Sequence, residues 1–430
     1  LLIHQKIKLN LNPIEKEILD NQLKLCIKLS NLILESFYNH EREDFMFGHI
    51  VSVTFLKKVQ HKILNEHPYF KIIHIDTLDR IIYKLKKSIE TSLKRTNSLP
   101  KYKQSRKNSF LLYYLGSTLS SNIINKSIEV PLGFVLSNNT PMQLKINCKL
   151  SSRIHKRENS IISNYEIVKK YNHYFLLVCI NKRNIKSREK TGKAISIDPN
   201  HKNFFVGVDS EGKSIEFQNL YQLKYFDKRI DEVRSKRDRC SKKSKSYLTL
   251  SGTEHLIPSK RYERMNNILL ELYHKRNSQI THALYSIANY LVQNYDQIAI
   301  GNYTPTSRNI KYREMRRKMI NQTIISRLRD TVKYVCQRDG KKYILVNEMF
   351  TTAKCFNCGN LVKKDPEIRI FTCDKCKRVI NRDINSAINI GIKANILSRQ
   401  DYVDLDLSLP TYALSFNLQK QKIDFLKLKG

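Results

Sequence analysis

Apolar and polar positions change their period several times along the chain. Residues 5–10, QKIKLN, alternate with period two, as a strand does. The period then lengthens, and Ile14, Ile18, Leu19, Leu23, Cys26, Ile27 and Ile33 recur at helical spacing. Asn12 is placed to cap that helix, with Pro13 at its first position and Glu15 three residues past the cap. Residues 49–125 read as further basic helices, Lys-rich over 84–108. From 130 the texture becomes strand-like again in VPLGFVL, QLKINCKL and HYFLLVCINKR, separated by turn residues such as Ser137, Asn138 and Asn139. The pattern predicts a small β domain formed by residues 1–40 and 126–190, with a helical insertion at 41–125.

Beyond 190 the elements are sharper. KAISID is a strand ending in Asp198, and FFVGVD and KSIEFQ follow it across the turn Ser210-Glu211-Gly212 as a three-strand meander. A basic segment at 222–262 leads into a long amphipathic helix at 259–294. Its apolar face carries Met265, Ile268, Leu272, Ile280, Leu284, Ile287 and Leu291. DQIAIG, 296–301, is a short strand. A second helix covers 314–338 through Met319, Ile324, Leu328, Val332 and Val335, and KYILVNE is the next strand. A helix at 384–397 closes the series. Three strands, helix, strand, helix, strand, helix is the element order of an RNase H-like fold. It is expected over 191–350 and 378–400, with a cysteine-rich module at 351–377 inserted before the last helix. Residues 401–430 carry no readable signal.

Composition adds a constraint on partners. Lys and Arg total 77 against 39 Asp and Glu, a net charge of +38, and 41% of residues are hydrophobic. That apolar fraction can bury a core, so wholesale disorder is excluded. The excess positive charge calls for a large anion. A duplex of ~20 base pairs carries roughly 40 phosphates, which is the same order. The competing anion, a membrane surface, finds no run of about 18 apolar residues and no basic amphipathic anchor. The chain opens without a signal-peptide pattern, so it is not expected to be secreted. Its first residue, Leu1, suggests that the natural start lies upstream.

Four of the nine cysteines are clustered as Cys355-x-x-Cys358, fourteen residues, then Cys373-x-x-Cys376. Paired knuckles of this kind make a tetrahedral thiolate cage for one structural Zn²⁺, with all four ligand places filled by sulfur. The other five, Cys26, Cys148, Cys179, Cys240 and Cys336, are scattered and read as plain thiols. Two acids stand at informative places. Asp198 ends the first strand of the meander, and Asp383 starts the closing helix. Each alone is an ordinary turn or first-turn acid. Together, in an RNase H-like order, they form the two ends of a carboxylate site for a pair of Mg²⁺ ions.

The strand at 196–198, the ribbon TTAKCFNCG…CDKC and the closing RDINSAINI resemble the divided RuvC nuclease of TnpB proteins. The likeness is firm over 190–397 and weak toward the N-terminus. TnpB proteins place a middle catalytic Glu at the end of the fourth strand, where this chain has Gly301. Glu348, just before TTAKC, resembles the displaced acid of Fanzor, the eukaryotic and viral relatives. The resemblance implies a RuvC domain with an inserted zinc ribbon, preceded by a β-barrel-like wedge domain with a helical recognition insertion. It also implies catalysis by Asp198, Glu348 and Asp383 on two Mg²⁺, an omega-type guide RNA, and a double-stranded DNA target with a short adjacent motif. A monomeric ribonucleoprotein is expected, nuclear in a eukaryotic or viral setting and cytoplasmic otherwise.

Neighbouring strands lie about 4.8 Å apart, so Glu348 must reach across one strand, past a glycine that puts no side chain in its way. Asp209 reads as a hairpin residue rather than a ligand, and Asn385 as a group that orients Asp383 or phosphate. The basic runs at 234–245 and 311–318 read as phosphate contacts. KRDRCSKKSKS also has the composition of a nuclear localisation signal. Two other functions fit parts of the chain. A catalytically inactive RNA- and DNA-binding protein would explain the missing acid at 301. A dimeric junction-resolving nuclease would explain the acids, but neither the basic N-terminal half nor the ribbon.

Overall fold

The computed structural model describes residues 2–39, 46–47, 50–96, 100–103, 111–117, 123–124, 126–137, 140–154, 160–182, 188–200, 203–220, 223–241, 245–248, 254–303, 324–362, 368–417 and 419–428. The chain divides into two compact units, residues 1–184 and 185–430.

The first unit is a seven-stranded sheet packed with helices. Its strands are β1 (Leu2–Asn10), β2 (Leu111–Leu115), β3 (Ile123–Ile124), β4 (Ser127–Ser137), β5 (Thr140–Leu150), β6 (Ser160–Lys170) and β7 (His173–Lys182). The order is β2-β6-β7-β1-β5-β4-β3, with every neighbour antiparallel. β1 binds β7 along most of its length and β5 at its last two residues, so it joins the two halves of the sheet. Helices α1 (Pro13–Asn39), α2 (Val53–Glu66) and α3 (Ile75–Thr96) complete the unit. Asn12 and Glu15 form the reciprocal cap at the start of α1, through bonds of 2.8 and 2.9 Å. The stretch 49–125 is not helical throughout. β2 and β3 lie within it because Leu112 and Tyr114 alternate into the core shared with α1 and α3.

The second unit is built on another seven-stranded sheet. In chain order it comprises β8 (Ala194–Pro199), β9 (Phe205–Asp209), β10 (Ser214–Phe217), α4 (Lys224–Ser241), the hairpin β11 (Ser246–Leu248) and β12 (Glu254–Leu256), α5 (Lys260–Asn294), β13 (Gln297–Gly301), α6 (Ile325–Asp339), β14 (Lys342–Val346), the ribbon hairpin β15 (Ile370–Thr372) and β16 (Val379–Asn381), α7 (Arg382–Lys393), β17 (Tyr412–Asn417) and β18 (Lys422–Lys427). The main sheet runs β14-β13-β8-β9-β10-β17-β18. β8, β13 and β14 are mutually parallel. All six residues of β8 are buried, as a strand covered on both faces requires. α5 and α6 pack one side through Leu284, Ile287, Leu291, Leu328 and Val332, and α7 packs the other through Ile384 and Ile388.

Three sequence expectations change here. Residues 401–430 are not featureless, since β17 and β18 extend the sheet beyond β10. On α5 the inward position is Leu269, while Ile268 faces out. The last helix runs 382–393 rather than 384–397, started by Asn381 and followed by a turn. The segment 314–323 of the second expected helix and the basic run 311–318 lie outside the described residues, and part of the run 234–245 does too. Among the described residues, no helix is long and apolar enough to cross a membrane.

Candidate functional site

Three acids and the cysteine cluster gather around one end of the β8-β13-β14 edge. Asp198 sits near the C-terminal end of β8, and its carboxylate is buried. Ser386 of α7 donates a 3.0 Å hydrogen bond to Asp198 Oδ1. Ser386 also reaches Thr351 Oγ1 at 3.2 Å, and Thr351 Oγ1 donates to the Glu348 carbonyl at 2.8 Å. A polar relay therefore ties the side chain of the first acid to the backbone of another.

β14 ends at Val346, and the chain turns so that Glu348 folds back over β13. The match to Gly301 is steric. A Cβ built on Gly301 would lie 1.8 Å from Glu348 Oε1 and 2.5 Å from Cδ. Real Cβ atoms never come so close, so the carboxylate occupies the place that a side chain at 301 would take. The Tyr303 N–H donates to Glu348 Oε1 at 3.1 Å. Arg329 of α6 holds the Tyr303 carbonyl at 2.7 Å and adds positive charge nearby. Burial pushes Glu348 up to about 6, against the Tyr303 bond and the Arg329 charge. Asp198 is pushed up to about 8, first by burial and then by the charge of Glu348. The two acids thus repel each other in a dry site.

Asp383 lies in the first turn of α7, where the helix dipole favours an acid. Asn381 is the cap, accepting the N–H groups of Asp383 and Ile384 at 2.9 and 3.4 Å. The Asp383 carboxylate is paired with Arg369 from the ribbon and with Arg382 at 3.4 Å. Among the described residues the three acids do not form so tight a cluster as the cysteines do. Asp383 is turned to its arginines, while Asp198 and Glu348 face each other electrostatically.

Two expectations about neighbours resolve differently. Asn385 does not orient Asp383. It accepts the Phe356 N–H at 2.9 Å and donates to the Lys354 carbonyl at 2.8 Å. Asn389, one turn on, donates to the same carbonyl at 2.7 Å. Both amides anchor the first cysteine knuckle to α7. Asp209 is a turn residue, accepting the N–H groups of Glu211 and Lys213 at 3.0 and 2.9 Å. It pairs in register with Ile195, at the opposite end of β8 from Asp198. Sequence reasoning passed over Ser386, Thr351, Arg369 and Arg329. Ser386 could have been found, because it stands one helical turn from Asp383 on a face otherwise apolar.

The four cysteine sulfurs all lie within 4.8 Å of one another. Cys355 and Cys376 are 3.8 Å apart, and Cys358 and Cys373 are 3.5 Å apart. A tetrahedral site with Zn–S bonds of about 2.3 Å has sulfur edges of about 3.8 Å, so the set fits zinc. The spacing is far beyond a disulfide bond. Each knuckle closes on a residue with positive φ, Gly359 (76°) and Lys377 (59°). Burial raises the Cys373 thiol, but the N–H groups of Cys376 and Lys375 outweigh it and bring it down to about 7.

Comparison with known proteins bears on both halves of this picture. A family model described as "Probable transposase" (OrfB_IS605) matches residues 177–304, and one described as "Cas12f1-like, TNB domain" matches residues 326–390. Each match covers less than half of the chain, and both point to similarity with TnpB and Cas12f proteins. The chain is 25% identical over 142 residues to "TnpB-like protein L79" of Acanthamoeba polyphaga mimivirus, 32% of this chain and 27% of the relative. It is 29% identical over 109 residues to a Streptomyces pristinaespiralis protein named "Putative RNA-guided DNA endonuclease", 25% of this chain and 26% of the relative. The chain therefore spans about a quarter of the length of these curated relatives. A solved Cas12f1-sgRNA-target DNA complex aligns over 88% of this chain and 83% of its own, with TM-score 0.58 and 15% identity, a likeness of fold.

Proposed function

We propose that the chain is an RNA-guided DNA endonuclease with an RNase H-like, RuvC-type centre at Asp198, Glu348 and Asp383. The observation that carries this is the Glu348 carboxylate seated over Gly301. An acid belongs at that point of a two-ion phosphodiesterase site, and the chain supplies it from the neighbouring strand. The inactive-binder alternative was motivated by the absence of an acid at 301, and Glu348 removes that motive. The displaced acid is also the feature that resembles Fanzor.

The donor set fits Mg²⁺. It is all oxygen, and a divalent cation relieves the burial that raises both Asp198 and Glu348 and the Glu348 charge that raises Asp198 further. Bound there, Mg²⁺ would polarise the scissile phosphate and activate the attacking water. Asp198, Glu348 and Asp383 would hold it. Ser386 keeps the Asp198 carboxylate oriented, and the Tyr303 N–H does the same for Glu348. The ribbon holds its Zn²⁺ structurally, since four thiolates leave no open position. The net charge of +38 suits a guide RNA and a DNA duplex held by their backbones. The β-rich first unit, with its helices, corresponds to a wedge and recognition domain. A monomeric ribonucleoprotein, a short target-adjacent motif and a nuclear or cytoplasmic site of action belong to the same proposal.

The test is Mg²⁺-dependent cleavage of matched duplex DNA by protein co-expressed with its flanking locus, so that bound RNA is retained. Glu348→Gln keeps the shape and removes the charge. It is expected to lose cleavage by at least about a hundredfold while keeping RNA and zinc. Full activity of this variant would place the third acid elsewhere.

A further inference from the structure

A cavity of about 230 Å³ opens at the other end of the main sheet, under β18 and beside the C-terminal end of α5. Asp209 at its floor pairs with Ile195, three residues before Asp198, so about 10 Å of strand separates the cavity from the acids. Its volume lies below the roughly 300 Å³ at which drug-sized pockets begin. It suits a planar ring system rather than an extended ligand.

The lining chemistry is specific. Tyr290 and Phe425 form an aromatic wall, with ring centroids 5.6 Å apart and planes inclined at 59°. Asp209 Oδ1 is used by two backbone N–H groups, while Oδ2 takes a long 3.3 Å bond from the Tyr295 hydroxyl. An ionised carboxylate is acceptor-only, so what it can take from a ligand is a donor. At the rim, Lys193 and Lys213 share one carboxylate, Glu211, at 2.5 and 2.8 Å. Asp209 balances the remaining charge, but an ammonium has three N–H donors, so each lysine can bond a phosphate oxygen as well as Glu211.

We propose that this cavity binds a single unpaired nucleobase, stacked on the aromatic wall, with its phosphate on the rim lysines. Every base offers a π face to an aromatic wall. Asp209 Oδ2 favours the exocyclic amino donors of adenine, cytosine and guanine over the N3–H of uracil, which two carbonyl oxygens flank and which a carboxylate therefore approaches against repulsion. The base can come from a free nucleotide or from the unpaired end of a strand. None of this depends on the nuclease reading, and cleavage is not the readout.

A chain of charge +38 attracts any phosphate, so affinity alone decides nothing. Discrimination between nucleotides of equal phosphate charge does, because the electrostatic contribution cancels. GMP, AMP, CMP and UMP are titrated calorimetrically into the full chain at about 0.15 M salt. The amino-bearing nucleotides are expected to bind about tenfold more tightly than UMP. That preference should vanish in Asp209→Asn and in Phe425→Ala. Phe425 is 60% exposed, so its truncation spares the core. In a second arm, hairpin duplexes with one unpaired 3′ nucleotide are compared with blunt ones. Overhang preference that Phe425→Ala abolishes assigns a strand end, and saturable free-nucleotide preference assigns a small-molecule site, and either supports the proposal. Equal affinity for all four nucleotides together with no overhang preference, or a preference that survives both substitutions, overturns it.

Discussion

At Gly301 a missing side chain and a neighbour's carboxylate share one volume, and the consequences are sharp. Gly301→Ala would drive a methyl into Glu348 Oε1. Cleavage should fall by at least about a hundredfold with folding retained, because a misplaced catalytic group is that costly. Wild-type rates in this variant would show that Glu348 is free to sit elsewhere. Gly301→Glu can restore an acid only where position 348 is emptied, so rescue is to be sought with Glu348→Ala. A glutamine at 348 still fills the space. Asp198 gives a second test at this scale. Folded, it keeps its proton up to about 8, whereas an ordinary carboxyl loses it near 3.8. Between those values the folded state binds the extra proton, so metal-free stability falls as pH rises. At about 1.36 kcal/mol per unit the whole effect is at most about 6 kcal/mol. Asp198→Asn should therefore raise the melting temperature of the metal-free protein at pH 8, with the gain shrinking toward pH 4. A lower melting temperature at pH 8 would contradict the burial and repulsion described. The places of Asp198 near the end of β8 and Asp383 at the start of α7 were legible because they stand out in the element order. Ser386 and Thr351 were not, since a serine in a helix and a threonine in a turn gain meaning only from what they touch.

Among elements, the ribbon and α7 behave as one piece. Asn385 and Asn389 tie the first knuckle to the helix that carries Asp383. Cys376→Ser should lose zinc by elemental analysis and loosen the ribbon locally, since a thiolate cage contributes on the order of 10 kcal/mol in isolated zinc modules. Asn385→Ala strands the buried Phe356 N–H, at about 1–3 kcal/mol, while Asn389 still donates to the Lys354 carbonyl. It should lower the melting temperature while zinc remains bound. Zinc loss in Asn385→Ala would mean that the cage depends on the helix. The main-sheet strands and the helices α5 and α6 between 194 and 346 were readable from period and turn residues, whereas α4 and the β11-β12 hairpin lay hidden in a segment that reads only as basic. β2 was misread as helix because five residues of LLYYL do not separate the two periods. β17 and β18 were missed because β18 is solvent-facing and lacks alternation, with Phe425 and Leu426 both exposed.

For the molecule as a whole, charge dominates the expected behaviour. If RNA is held through 6–10 phosphate contacts, affinity should drop by about 10³–10⁵ between 50 and 200 mM salt. Binding insensitive to salt in filter assays would point to recognition by base contacts rather than by the net charge of +38. The charge was plain from the first reading, but which surfaces carry it was not, because basic side chains are spread over both units. The strand order has a further consequence for biosynthesis. β10 finds its outer partner only in β17, which follows it by almost two hundred positions in the chain. A ribosome that has delivered Asp198, Glu348 and Asp383 has still not delivered that partner. The sheet beneath Asp198 and Glu348 therefore stays open on one side until Tyr412–Asn417 has emerged, after every element from β8 to α7 has been made.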